Sequence, residues 1–279
     1  MTEPQQLPVF NGGAQHQQFR DIAGLRHFMR HYIDLWDRDR ERGVEIKSEY
    51  AQAAGPVIWS LANHSVELSR TILLLSEQNR LVIAVPLIRL LLENMITGAW
   101  LYLSPDNARA LVHEGLRNRV AAIREVVGRS SPGFEPELLD EWAGYLDEFE
   151  QDANEQGRKF EKRCRAIVDG PDVYTTWRIA SALSHAGLTM SDFYLVATKK
   201  SEHNPLGIAF HSNATLPSHE AWIGTAACTL LGSMKTFDLI SAKGRLKNQI
   251  ADGAKRMGIG LDFRLANEGP GGPVNTPNS

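Results

Sequence analysis

Apolar residues recur along this chain at intervals of three and four, and no stretch shows convincing alternation. That rhythm belongs to helices that bury one face, not to strands. Residues 17–42 carry Phe19, Ile22, Leu25, Phe28, Tyr32 and Leu35 at helical spacing and close on DRDRER (37–42), read as a solvated charged face. A second helix is expected over 48–79, with Val57, Ile58, Leu61, Val66, Leu68, Ile72 and Leu75 inward and Gly55-Pro56 as a kink or division. The third covers 81–103, with Pro86 as a second kink site. SPDNAR (104–109) then supplies a turn in which Ser104 or Asp106 suits an N-cap, and a fourth helix runs to residue 128.

SSPGFEPE (130–137) breaks the pattern. Residues 137–168 read as one long charged helix with Leu139, Trp142, Leu146 and Phe149 as its apolar stripe. DGPD (169–172) interrupts again and places Pro171 and Asp172 in the first turn of a helix ending near Gly187. Residues 197–217 have little periodicity and read as a long loop. A strong helix follows over 218–240, with Ser218 as N-cap, and then a short basic segment over 243–256. The fold class expected is all-α, a single helical-bundle domain of about seven to eight helices over residues 17–260. A flexible N-terminal arm (1–16) and a disordered C-terminal tail (261–279) flank it.

Composition narrows this picture. With 43% hydrophobic and 23% charged residues in 279, the chain can build an ordinary globular core. LVIAVPLIRLLLENMITGAWLYL (81–103) is long enough to cross a bilayer, but Arg89, Glu93 and Asn94 fall near its middle, where ions are costly in lipid. A buried helix is expected instead, with no membrane partner. A net charge of −3 argues against a generally basic nucleic-acid binder, while leaving room for a local basic groove. Cys164 and Cys228 cannot make a disulfide framework and suit free thiols in a reducing compartment, without a disulfide-linked partner. MTEPQQLPVFNGG lacks the order of a secretory signal, so a cytoplasmic location is the expectation.

The segment YTTWRIASALSHAGLTMSDFYL (174–195) carries the main candidate chemistry. On a helix turning about 100° per residue, Tyr174, Arg178, Ser181 and His185 project within roughly 60° of one another. A guanidinium fork suits a phosphate or carboxylate, and an imidazole exchanges protons near neutrality. The same row could instead close on itself, with Arg178 paired to a carboxylate and His185 inside a hydrogen-bond network. Arg89 and Glu93 form an i,i+4 pair on a helix that is otherwise apolar. That pair either fastens two helices or borders the same polar pocket, with Asn94 and Tyr102 in reach of it.

Other histidines are weaker candidates. His27 and His31 share a helix face without a third ligand, and His203, His211 and His219 recur at eight-residue intervals in or near the loop. No metal is assigned, and no cofactor, since neither GxGxxG before a helix, nor a P-loop, nor a GxSxG elbow is present. Lys199, Lys200, Lys243, Arg245, Lys247, Lys255 and Arg256 form a basic set suited either to a polyanion or to ordinary surface.

Two passages, IRLLLENMITGAWLYL (88–103) and YTTWRIASALSHAG (174–187), together resemble an uncharacterised bacterial all-helical family, domain of unknown function family 5677. The positions that match its pattern are Arg89 and Glu93, then Tyr174, Arg178, Ser181 or Ser184, and His185, within a stretch from about residue 50 to 195. The spacing of Arg178 and His185 also resembles the Arg-x4–6-His motif of the HEPN superfamily of helical toxins and anti-phage ribonucleases. That second resemblance implies a HEPN-like core, a homodimer with two motifs around one cleft, and RNA as the partner. It implies metal-independent endoribonuclease chemistry, in which Arg178 stabilises the phosphorane and His185 acts as general acid or base, in a defence or stress role. A residue directly after the arginine is usually polar in that superfamily, whereas Ile179 stands here. The alternative from another class is a non-enzymatic helical module for a small anionic ligand or a protein partner. An open row favours the first reading and a sealed row the second.

Overall fold

The computed structural model describes residues 21–50, 53–128, 136–214 and 216–267. The expected arm at 1–16, most of the SSPGFEPE break and the tail beyond 267 lie outside these residues. The fold is all-α: eleven α-helices and one two-stranded sheet of three-residue strands among the described residues.

Four long helices make the core: α1 (Ile22–Arg40), α2 (Ala54–Glu77), α3 (Leu81–Leu103) and α10 (His219–Ile240). Asp21 starts α1 by accepting a hydrogen bond from the Gly24 N–H at 2.7 Å. Phe28, Met29, Tyr32, Ile33 and Trp36 then lie on its inner face. The expected division at Gly55-Pro56 is the helix start instead, since Pro56 sits in the first turn of α2, where its missing N–H costs nothing. The central helix is α3, packed against α2, α8 and α10. Its most apolar window is long enough to span a membrane, yet 67% of that window is buried inside the protein.

DRDRER is less of a free surface than its composition suggests. Asp37 meets the Arg70 guanidinium of α2 at 2.6 Å, and Asp39 meets Arg245 at 3.1 Å. These residues therefore tie α1 to its neighbours.

Beyond the core, α4 (Ala108–Gly128) packs with α5 (Pro136–Glu148). The single helix expected over 137–168 is divided: α5 is followed by a 3-10 turn, α6 (Glu155–Arg158) and α7 (Phe160–Arg165). The reason is local. Asn154 caps α6 by accepting from the Gly157 N–H at 2.8 Å. Gly157 then passes so close to α4 that a Cβ there would lie 2.8 Å from the Ala110 carbonyl oxygen. Next come α8 (Gly170–Ser184), α9 (Leu188–Ser191), a hairpin of β1 (Leu195–Ala197) and β2 (Ile208–Phe210), and α11 (Lys247–Met257), which packs on α10.

The hairpin corrects the expectation of an unstructured loop. Leu195 pairs with Phe210 and Ala197 with Ile208. One side chain stitches the connection, as Asn204 donates to Thr198 Oγ1 at 3.0 Å and to the Ile208 carbonyl at 3.1 Å. Ser218 precedes α10 in a left-handed conformation and makes no side-chain cap bond. Residues 261–267, expected in the tail, turn back along α7: the Val168 N–H donates to the Arg264 carbonyl at 3.0 Å and Ala266 to Ala166 at 3.0 Å.

Candidate functional site

The site is built on α8, and its placement begins with a glycine. Gly170 opens the helix against the end of α7, where a Cβ would sit 1.9 Å from the Cys164 carbonyl oxygen. Pro171 and Asp172 occupy the first turn, as their order implies. From there Val173, Ala180 and Leu183 turn into the core. Asp172, Thr175, Arg178, Ala182 and His185 are all exposed, a stripe that returns at helical spacing along the outer face.

The polar row expected on this helix therefore splits in two. Arg178 and His185 belong to the outer stripe, whereas Tyr174 and Ser181 are half-buried. The helix ends at Ser184, so His185 occupies the C-cap with extended backbone, φ −98° and ψ 145°. Neither the Arg178 nor the His185 side chain makes a hydrogen bond or ion pair among the described residues. Ala182 lies between them on the stripe, so only a methyl group separates the two long side chains. Seven residues of helix place their backbones about 10 Å apart along the axis.

The inner side of α8 meets the Arg89–Glu93 pair. Glu93 Oε1 accepts from the Trp177 indole N–H at 2.6 Å and forms an ion pair with Arg89 Nη2 at 3.1 Å. The Arg89 guanidinium lies over the Trp177 ring, 4.8 Å from its centroid. Tyr174 stacks on Trp177 at 5.5 Å and donates to Glu161 Oε2 at 3.4 Å, while Phe160 closes the cluster 5.1 Å from Trp177. Arg89 and Glu93 thus hold α8 against α3 from within and do not face the same solvent as Arg178. The Ser181 hydroxyl and Arg89 Nε are both buried without a hydrogen-bond partner.

Two of the expected pocket residues lie elsewhere. Asn94 is buried and meets His64 of α2 at 3.2 Å. Tyr102 lies 13 residues beyond Arg89, or about 20 Å along the same helix, and stacks on Tyr50. Among the described residues, no group of three or more His, Cys, Asp or Glu side chains is arranged to hold a metal ion.

A family model described as a family of unknown function (DUF5677) matches residues 57–203, just over half of the chain. The chain belongs to DUF5677. The DUF5677 region runs from the first turn of α2 to the hairpin, so it includes Arg89, Glu93, Tyr174, Arg178, Ser181 and His185 and leaves out α10 and α11. No curated protein and no solved structure matches the chain.

Within the DUF5677 region, sequence reasoning passed over Trp177, Arg163 and Gln156, which matter to the site. Trp177 is the link from α8 to Glu93, and its i,i+3 spacing from Tyr174 was the available signal. Arg163 is half-buried, and loss of water around it pulls its guanidinium below the usual arginine value. It donates to the Gln156 carbonyl at 3.1 Å and the Gly157 carbonyl at 2.9 Å, within 5.9 Å of the Trp100 ring centroid. Gln156 in turn accepts from the Trp100 indole at 2.8 Å. These groups lock α6 and α7 onto α3 and so fix the platform from which α8 starts. Cys164 on that platform is fully buried, and burial pushes its thiol up to about 12, which leaves it without nucleophilic character at neutral pH.

Proposed function

We propose that this DUF5677 protein is a HEPN-like, metal-independent endoribonuclease of a toxin or anti-phage type, with Arg178 and His185 as its catalytic residues. The observation that carries this reading is the exposure of both side chains on one stripe of α8, with neither spent on a protein partner. A structural arginine and histidine would be committed, as Arg163 is to two carbonyls.

The chemistry follows from the groups. His185 in its neutral form takes the proton of a ribose 2′-OH, whose oxygen attacks the adjacent phosphorus. Arg178 stabilises the added negative charge on the phosphorane oxygens. The bond from phosphorus to the 5′-oxygen breaks, leaving a 2′,3′-cyclic phosphate, and that oxygen receives a proton from a second imidazole in its protonated, imidazolium form. His185 of a second copy supplies it in a symmetric dimer. The apolar surface for such pairing is next in the chain: Leu188 is 76% exposed and Phe210 of the hairpin 83%. Of the basic set, Lys243 pairs with Glu45 and Arg245 with Asp39, while Lys199 and Lys200 on the hairpin remain exposed for an RNA backbone.

The test is incubation of the purified protein with end-labelled single-stranded RNA in the presence of a chelator. Cleavage is expected to persist, to yield cyclic-phosphate and 5′-hydroxyl ends, and to spare DNA, which lacks the 2′-OH. His185→Ala and Arg178→Ala are each expected to lower the rate by about 10²-fold or more. Intact RNA, or cleavage retained by His185→Ala, would reject the reading.

A further inference from the structure

A second concavity lies away from α8, between α10, α11 and the segment that follows α11. Its volume is about 500 Å³, the size of a small-molecule site. Leu239, Ile250, Ala254, Ile259, Leu261 and Phe263 supply an apolar floor. The wall formed by Ile259–Phe263 is set in place from both ends. Gly258 ends α11 in the left-handed region at φ 67°, and the Ile259 N–H donates to the Ala254 carbonyl at 3.0 Å. Beyond the wall, the bond from Val168 to Arg264 and the pairing of Ile167 with Leu265 anchor the chain to the end of α7. The cavity is therefore preformed, which spares a ligand the cost of ordering it.

Its polar rim is unbalanced toward donors. Lys235 of α10, Lys255 of α11 and the Tyr102 hydroxyl of α3 line it, and none of them makes a hydrogen bond or ion pair through its side-chain terminus among the described residues. Burial raises the Tyr102 phenol above its usual value, so it remains a donor at neutral pH. The one carboxylate in the lining, Asp262, points largely into solvent, 82% exposed, where it pairs with Arg264 at 3.3 Å and adds to the rise of the Tyr102 phenol. Two ammonium groups without a hydrogen-bonded partner, of which Lys235 also feels the buried Asp238 carboxylate, and a phenol above an apolar floor are complementary to an apolar body carrying a single anionic head.

We infer that this cavity is a binding site for an amphipathic carboxylate, such as a medium-chain fatty acid or an aryl-alkanoic acid, held by Lys235, Lys255 and Tyr102. The site lies apart from Arg178 and His185, and the inference does not rest on the ribonuclease reading.

Titration calorimetry of the whole protein with decanoate, and separately with decanol, tests it without RNA. Decanoate is expected to bind saturably and decanol at least tenfold more weakly. Lys235→Met/Lys255→Met is expected to weaken decanoate at least tenfold, and Tyr102→Phe severalfold. Lys255 is exposed, so Lys255→Met alone, expected to weaken binding severalfold, carries the charge test if the double variant does not fold. Ala251→Trp, which fills the exposed mouth while keeping both charges, is expected to abolish binding. Absence of saturable binding, equal affinity for decanol, or undiminished decanoate binding by the lysine variants would overturn the assignment.

Discussion

Trp177 on α8 donates its indole N–H to the Glu93 carboxylate on α3 at 2.6 Å, a bond between residues 84 apart in the chain. Arg89 closes the group by pairing with Glu93 while covering the indole ring. Its ion pair is partly open to water, with the two side chains 31% and 26% exposed, so charge attraction alone contributes little. The indole bond to a carboxylate is the stronger part. Trp177→Phe keeps an aromatic face for Arg89 and removes only the donor and one ring. The expected loss is about 1.5–3 kcal/mol, seen as a lower midpoint in denaturant with an unchanged slope. An unchanged midpoint would show that the contact does not fasten α8.

Arg178 and His185 carry the opposite expectation. Both are exposed and uncommitted, so removing either should leave folding almost untouched. Arg178→Ala and His185→Ala are each expected to stay within about 0.5 kcal/mol of the parent in chemical denaturation. A loss of several kcal/mol in either would mean that the side chain has a structural partner, and the proposed catalytic role would then lose its footing.

How far the sequence alone reached can be read from particular elements. The long helices were legible because a buried face repeats every 3.6 residues, as Phe28, Tyr32 and Trp36 do on α1. The division at Asn154 was not, because the charged run from 137 to 168 continues its periodicity across a cap that only a close approach to Ala110 enforces. The strands at 195–197 and 208–210 are three residues each, too short for alternation to register, and depend on Asn204 bonds within the connection. In the site, helical spacing brought Arg89 and Glu93 together but passed over Trp177, the residue that joins them to α8. It did not foresee that the helix stops before His185, or that Trp177 and Arg178, adjacent in sequence, leave the axis about 100° apart and serve different sides of the helix, one inward and one to solvent. Helical rise alone sets Tyr102 apart from Arg89, since 13 residues of α3 separate them.

Asp238 offers a test by pH. It lies on α10, only 6% exposed, and its Oδ1 accepts from the Leu246 N–H at 3.0 Å. Burial pushes its carboxyl above the ordinary aspartate value of 3.8, with Asp39 adding to the rise; the Leu246 bond and the charges of Lys235 and Lys247 pull the other way. A folded-state value above the unfolded one means that the fold prefers the protonated form. The stabilising contribution of this group is therefore complete below the unfolded value of 3.8 and is lost as pH rises through the folded value. At neutral pH the ionised carboxylate holds the protein below its attainable stability. Asp238→Asn keeps an oxygen for Leu246 and removes the charge, so it should be more stable than the parent at about pH 7 and lose that advantage toward about pH 4. Asp238→Ala strands the Leu246 N–H in a buried position and should cost about 1–3 kcal/mol at neutral pH. Denaturant titrations of the three proteins at both pH values separate the effects. An asparagine variant that falls as far as the alanine variant at neutral pH would show that the charge, and not the hydrogen bond, holds the α10–α11 connection.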